Sequence, residues 1–154
     1  MLEWLAALPH AALLRRWDTA YLLVNAAHIA AIGLLFGSIA ALDLRLLGAA
    51  RQVPLPAAAP FLARLAAIGL LLAALSGFCL FSVQPAEYAG NPAFLAKLGL
   101  VGLGLANALW LRTGRHWRGL LAGAPATPAV RVHAAASLAI WLAAIVAGRW
   151  IGFL

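Results

Sequence analysis

Residues that carry enzyme chemistry are scarce in this sequence. Its 154 residues include one cysteine, one methionine and four acidic side chains. The single cysteine, Cys79, excludes an intrachain disulfide. The sequence also lacks a glycine-rich phosphate loop, a CxxC pair, an HExxH motif and a pair of neighbouring carboxylates. The sequence therefore lacks the residues that hydrolase and kinase mechanisms require.

Apolar residues, in contrast, are abundant: 66% of the chain is hydrophobic, 10% is charged and the mean hydropathy is +0.98. A soluble domain of this length exposes too much surface to bury so many apolar side chains. The composition therefore indicates an integral membrane protein. The net charge of +7 does not indicate nucleic-acid binding, because the arginines lie between apolar runs, as topology signals do.

The apolar runs predict an all-α integral membrane four-helix bundle with a short N-terminal interfacial helix. Each run is long enough to cross a bilayer as a helix, which takes about 20 residues. Residues 1–17 contain Pro9 and no basic segment before the apolar stretch, so they fit an interfacial helix rather than a signal peptide. Residues 18–154 then form one bundle, with spans at about 19–44, 60–83, 93–111 and 131–152.

The distribution of arginines predicts the orientation. The loops after the first and third spans, with their flanks, carry Arg45, Arg51, Arg64, Arg112, Arg115, Arg118 and Arg131. Their one acidic residue is Asp43. The positive-inside rule places these loops in the cytoplasm. Both termini then lie in the periplasm of a bacterial inner membrane. The lipid bilayer is the first expected partner, and a homo-oligomer or a larger membrane complex is a further one.

Two faces of the first span differ in chemistry. At 100° per residue, one face carries Asn25, His28, Ile32, Phe36, Ile39 and Asp43. A neighbouring face carries Ala26, Ala30, Gly33, Gly37 and Ala41. Small residues at this spacing let helices approach closely in a membrane. We therefore expect Gly33 and Gly37 to face another helix.

Polar residues of several spans fall at similar depths in the half of the membrane nearer the termini. They are Asn25, His28, Ser76, Glu87, Lys97 and Arg149. A titratable group at membrane depth is a functional-site candidate. His28 is the candidate ligand of a haem or metal, or a proton carrier. The alternative is a structural histidine that forms a hydrogen bond between helices.

Lys97 has two interpretations. Its ammonium either pairs with a cofactor carboxylate or with Glu87, or it extends along its stem to the membrane surface. Arg149 fits an interfacial anchor or a partner of Glu87.

The remaining polar residues are interpreted structurally. We expect His133 to be a boundary residue, because it lies within a turn of the cytoplasmic end. We expect Asp43 to pair with Arg45 or with an arginine of the opposite loop. Asn107 is expected to form an interhelical hydrogen bond, and His10 to be solvated.

Three segments resemble a group of small bacterial four-span membrane proteins that are catalogued as domains of unknown function. The segments are HIAAIGLLFGSIAALDLRLLG, FSVQPAEYAGNPAFLAKLGLV and ASLAIWLAAIVAGRWIGFL. A weaker similarity, at His28, Arg45 and Lys97, extends to HemJ-type protoporphyrinogen oxidases and to CopD-type copper-resistance domains. The first similarity implies haem and porphyrin chemistry at His28 and Lys97, and the second implies copper passage.

Three functions therefore stay open. One is a protein that binds haem b or another redox cofactor in the polar site near the termini; if it is an enzyme, we expect a membrane oxidoreductase. The second is a permease for copper or a small solute. The third is a structural subunit of a membrane complex.

Overall fold

A computed structural model describes residues 2–153 and contains no strand in this range. The helices are α1 (Glu3–Ala6), α2 (Pro9–Arg16), α3 (Asp18–Leu47), α4 (Leu55–Phe81), α5 (Pro85–Gly90), α6 (Pro92–Thr113), α7 (Arg115–Leu121) and α8 (Pro128–Trp150), followed by a 3₁₀ turn at Ile151–Phe153. Within the described residues, α3, α4, α6 and α8 are long and apolar enough to cross a membrane. The prediction of an all-α, multi-pass membrane bundle is therefore confirmed.

Local chemistry explains the helix ends. Gly48 ends α3 in the left-handed region, at φ 113°, which glycine adopts at no steric cost. Asn91 caps α6, since its Oδ1 accepts hydrogen bonds from the backbone N–H groups of Ala93 and Phe94. Pro92 then occupies the first helical position, where no N–H is needed.

The second span begins earlier than about residue 60, because α4 already starts at Leu55. Pro56 is in the first turn of this helix, where its missing N–H has no helical partner. Pro60 lies inside the helix and removes one backbone hydrogen bond. The prolines are therefore compatible with a helix that starts before residue 60.

The four spans pack in the order α4, α3, α8 and α6. Extensive contacts join α3 to α4, α3 to α8 and α8 to α6. Within the described chain, α4 and α6 do not pack against each other as neighbours. Two glycines permit the closest approaches: Gly69 lies against the backbone of Leu35, and Gly104 lies against the indole of Trp141. The bundle is therefore open between α4 and α6.

The end of the bundle that carries residues 48–54 and 114–127 is called the loop end. Its core consists of Leu46, Leu55, Ala59, Ala63, Trp117, Leu120, Val130 and Ala134. Trp117 and Leu120 belong to α7, which contacts both α4 and α6. The short helix α7 therefore bridges the two spans at this end.

The opposite end, which carries both termini, is called the terminal end. The predicted interfacial helix is two short helices here, α1 and α2, with Trp4 and Trp17 64% and 59% exposed. The expectation that His10 is solvated was wrong. Its Nε2 lies 3.0 Å from Oγ of Ser82, which is fully buried at the end of α4. This bond docks α2 onto the bundle.

The expectation that Gly33 and Gly37 face another helix was also wrong. No described atom outside the helix lies within 4 Å of a Cβ built at either position. The packed face of α3 instead carries Ala31, Leu35 and Ser38. Close approach in this bundle occurs instead at Gly69 of α4. There the glycine meets the larger Leu35, so the contact is not one between two small residues.

Candidate ligand site between the spans

His28 of α3 is hydrogen-bonded to Ser76 of α4 near the terminal end. The Ser76 hydroxyl lies 2.6 Å from the carbonyl oxygen of Leu72 and donates its one proton there. It therefore accepts from Nδ1–H of His28, over 2.9 Å. In the neutral ring this leaves Nε2 unprotonated.

Lys97 of α6 lies within electrostatic range of His28. Its stem packs on Gly148 of α8, where a Cβ built on the glycine would lie 3.4 Å from Cδ of Lys97. The lysine stem therefore lies in van der Waals contact with α8 at this position. Among residues 2–153, Lys97 forms no ion pair with Glu87.

The other three residues of the predicted cluster do not join this group. Asn25 and Glu87 are exposed. Arg149 is exposed as well, and its guanidinium lies over the Phe153 ring at 4.7 Å from the centroid. The predicted six-residue cluster therefore reduces to His28, Ser76 and Lys97.

An aromatic cluster covers the terminal end beside this group. The rings of Phe81 and Phe94 stack at 5.4 Å, and Tyr88 of α5 packs against both. Burial raises the pKa of Tyr88 above its ordinary value, and the nearby Tyr21 and Glu87 raise it further. The Tyr88 phenol therefore stays protonated at neutral pH.

A cavity of about 280 Å³ lies between all four spans, towards the loop end. Its polar lining consists of Ser38, Asp43, Asn107, Arg112, His133 and Ser137, and its walls are leucine and alanine side chains. His28 and Lys97 are not part of this lining. An apolar pocket with a few converging polar groups is the usual form of a small-molecule site.

Asp43 is the acidic group of the cavity and is 5% exposed. Its carboxyl group and the hydroxyl of Ser137 on α8 line the same cavity. The second oxygen, Oδ2, is buried without a partner in the described part of the chain. The expected pairing with Arg45 was wrong, because the Arg45 guanidinium donates to the backbone carbonyls of Arg51 and Val53 instead.

Asn107 and His133 form a two-sided pair between α6 and α8. The amide Nδ2 donates to the backbone carbonyl of His133 at 3.1 Å, which directs Oδ1 to the imidazole Nδ1, 2.6 Å away. An amide oxygen only accepts, so Nδ1 carries the proton and Nε2 of the neutral ring is an acceptor. The interhelical role predicted for Asn107 is confirmed, and the boundary role predicted for His133 was wrong.

Trp141 is the second group of the cavity without a partner. It is 4% exposed, and no described atom accepts a hydrogen bond from its Nε1–H. Gly104 makes room for the ring, since a Cβ at that position would lie 2.8 Å from Cε2 of the indole. A buried donor without a partner is uncommon in proteins and calls for an explanation.

The sequence contained a signal for this site. His133, Ser137 and Trp141 recur at intervals of four, so they share one face of α8 over about 12 Å. Asp43 gave the second signal, as an acidic residue at the end of a span. We had interpreted each residue separately, and the common face was overlooked.

No protein-family model, curated protein or solved structure shows a significant similarity to this chain. The described residues also contain no group of three His, Cys, Asp or Glu side chains arranged to hold a metal ion. The site must therefore be interpreted from its own chemistry.

Proposed function

We propose that this chain is a bacterial inner-membrane protein that binds a small hydrogen-bonding ligand in the cavity between its spans. The observation that carries the proposal is the pair of buried polar atoms without partners, Oδ2 of Asp43 and Nε1–H of Trp141. Leaving a buried donor or acceptor unpaired costs about 1–3 kcal/mol. A ligand bound in the cavity would recover this free energy once small side-chain rotations turn both atoms towards it.

We also propose that the chain is related to the small four-span bacterial membrane proteins that it resembles. The proposal includes the orientation predicted from the arginines. We place the loop end in the cytoplasm, because it carries the arginine-rich loops. Both termini are then periplasmic. Membership of a homo-oligomer or a larger complex stays an alternative role, and the outward-facing Gly33 and Gly37 leave a surface for it.

Fusions of alkaline phosphatase test the orientation. We expect an enzyme fused after Leu154 to be active, because the phosphatase folds only in the periplasm. A fusion after Gly114, in the arginine-rich loop, should be inactive. Activity of the second fusion with inactivity of the first would reverse the orientation.

Dicyclohexylcarbodiimide, an apolar reagent for carboxyl groups in membranes, tests access to the cavity. We expect an N-acylurea adduct on Asp43, located by peptide mass spectrometry of the purified protein. Asp43→Asn should abolish this adduct, whereas Asp18→Asn, at the exposed start of α3, should leave it unchanged. A parent protein without an adduct on Asp43 would contradict a ligand-accessible cavity.

A second candidate function is the binding of a haem-type redox cofactor at His28. Its specific support is the Ser76 hydrogen bond, which holds the neutral tautomer with Nε2 available as an axial ligand. Lys97 supplies a nearby positive charge for a propionate. One oriented imidazole fits a haem, and when bound that group would supply one-electron redox chemistry. The described residues do not fit a copper ion, because they offer no three-ligand group.

A further inference from the structure

The cavity has an opening on its flank, between α4 and α6. Its rim on α4 includes Ala67, and its rim on α6 includes Leu109; both residues are exposed on the membrane-facing surface. These two spans do not pack together, so a lateral window separates them. At the loop end, α7 bridges both spans and buried Trp117 lines the cavity floor. A ligand from the bilayer therefore has a more direct route than a solute from the cytoplasm.

The volume of the cavity limits what it can hold. At about 280 Å³ it lies just below the range of about 300–1,000 Å³ that is usual for small-molecule pockets. A porphyrin or a whole lipid is too large for this space. A single-ring head group fits, provided that any longer chain passes out through the window between α4 and α6.

The unpaired groups define the polarity of that ring. Trp141 Nε1–H is a donor without an acceptor, so the ligand needs an acceptor oxygen. Asp43 Oδ2 accepts when the carboxyl is ionised, and a protonated carboxyl donates. A ring with oxygens on opposite sides satisfies both groups as either a quinone or a hydroquinone.

We infer that the cavity binds the head group of a membrane quinone, with the isoprenoid tail in the lipid between α4 and α6. One ring oxygen accepts a hydrogen bond from Trp141, and the other meets the Asp43 carboxyl. This inference rests on the proposed ligand-binding function and names its ligand class. It concerns binding, and no electron or proton transfer is assigned.

The test measures how fast the carbodiimide modifies Asp43 in detergent-solubilised protein with and without decylubiquinone. We expect saturating decylubiquinone to slow adduct formation about tenfold. The matched benzoquinone without a decyl chain should protect at higher concentrations, because it lacks the tail in the window. Dodecane, which has a chain without a ring, should not protect.

Three variants locate the quinone. Trp141→Phe keeps an aromatic ring and removes the N–H, so decylubiquinone should protect about fivefold to tenfold less well, the effect of one hydrogen bond. Ala67→Phe narrows the window and should weaken protection, whereas Leu72→Phe, on a different exposed face of α4, should not. Protection is measured against the rate of adduct formation of the same variant without quinone, so that a change in carbodiimide access is not counted as a loss of quinone binding.

The outcomes distinguish a failure of the quinone inference from a failure of the proposed ligand-binding function. If Asp43 is modified equally fast with and without decylubiquinone, the ligand class is wrong and the accessible cavity stands. If Asp43 is not modified at all, the accessible cavity and the quinone inference both fail. Equal protection by decylubiquinone in the parent and in both Trp141→Phe and Ala67→Phe would place the quinone outside the cavity.

Discussion

Replacement of Gly69 by alanine is expected to destabilise the bundle more than any other single methyl group added to a span. A Cβ at this position would lie 2.5 Å from the backbone nitrogen of Leu35 and 2.8 Å from its Cα. Backbone atoms cannot rotate away, so α3 and α4 must separate along their main contact. Overpacking of this kind costs about 3 kcal/mol, measured as the free energy of unfolding in a detergent titration with dodecyl sulfate.

Gly37→Ala on α3 is the matched control, because it adds the same methyl group where no described atom outside the helix lies within 4 Å. Alanine is the better helix former by about 1 kcal/mol, so this variant should unfold at the same dodecyl sulfate concentration as the parent or at a higher one. Equal stability of Gly69→Ala and Gly37→Ala would mean that α3 and α4 do not meet at Gly69.

Loss of all haem binding is the result expected for His28→Ala, if the second candidate function holds. Parent protein reconstituted with haem b should show a Soret band that the variant lacks, because His28 Nε2 is the one axial ligand that this group offers. Lys97→Met should keep the band and bind haem more weakly, since it removes a charge and preserves the stem. Titration of the Soret absorbance with haem measures both effects.

His10→Ala is the control for non-specific haem binding. Its ring is another half-buried histidine at the terminal end, and it bonds to Ser82 rather than to Ser76. The control should keep the Soret band of the parent. If His28→Ala keeps the full band, or the parent has none, then the His28–Ser76 pair acts only as a hydrogen bond between helices.

The candidate sites show where prediction from the sequence reached its limit. His28 was identified from its predicted membrane depth alone; it forms a hydrogen bond with Ser76, and Lys97 lies within electrostatic range of it. Asn25 lies one helical turn before His28 on a similar face, yet it is exposed. A helical period assigns directions around an axis, and it does not say which direction meets a neighbouring helix.

The sequence by itself determined the class and the number of spans, and the local chemistry of Gly48 and Asn91 explains two of the helix ends. These features depend on local properties: the free energy of transferring each residue to lipid, and the backbone preferences of glycine, proline and asparagine. The tertiary structure alone decided which faces pack. It turned Gly33 and Gly37 outwards and brought Asp43 to Ser137. The physical reason is that lipid is as apolar as the helix surfaces, so the fit of particular side chains, rather than hydrophobicity, chooses the contacts.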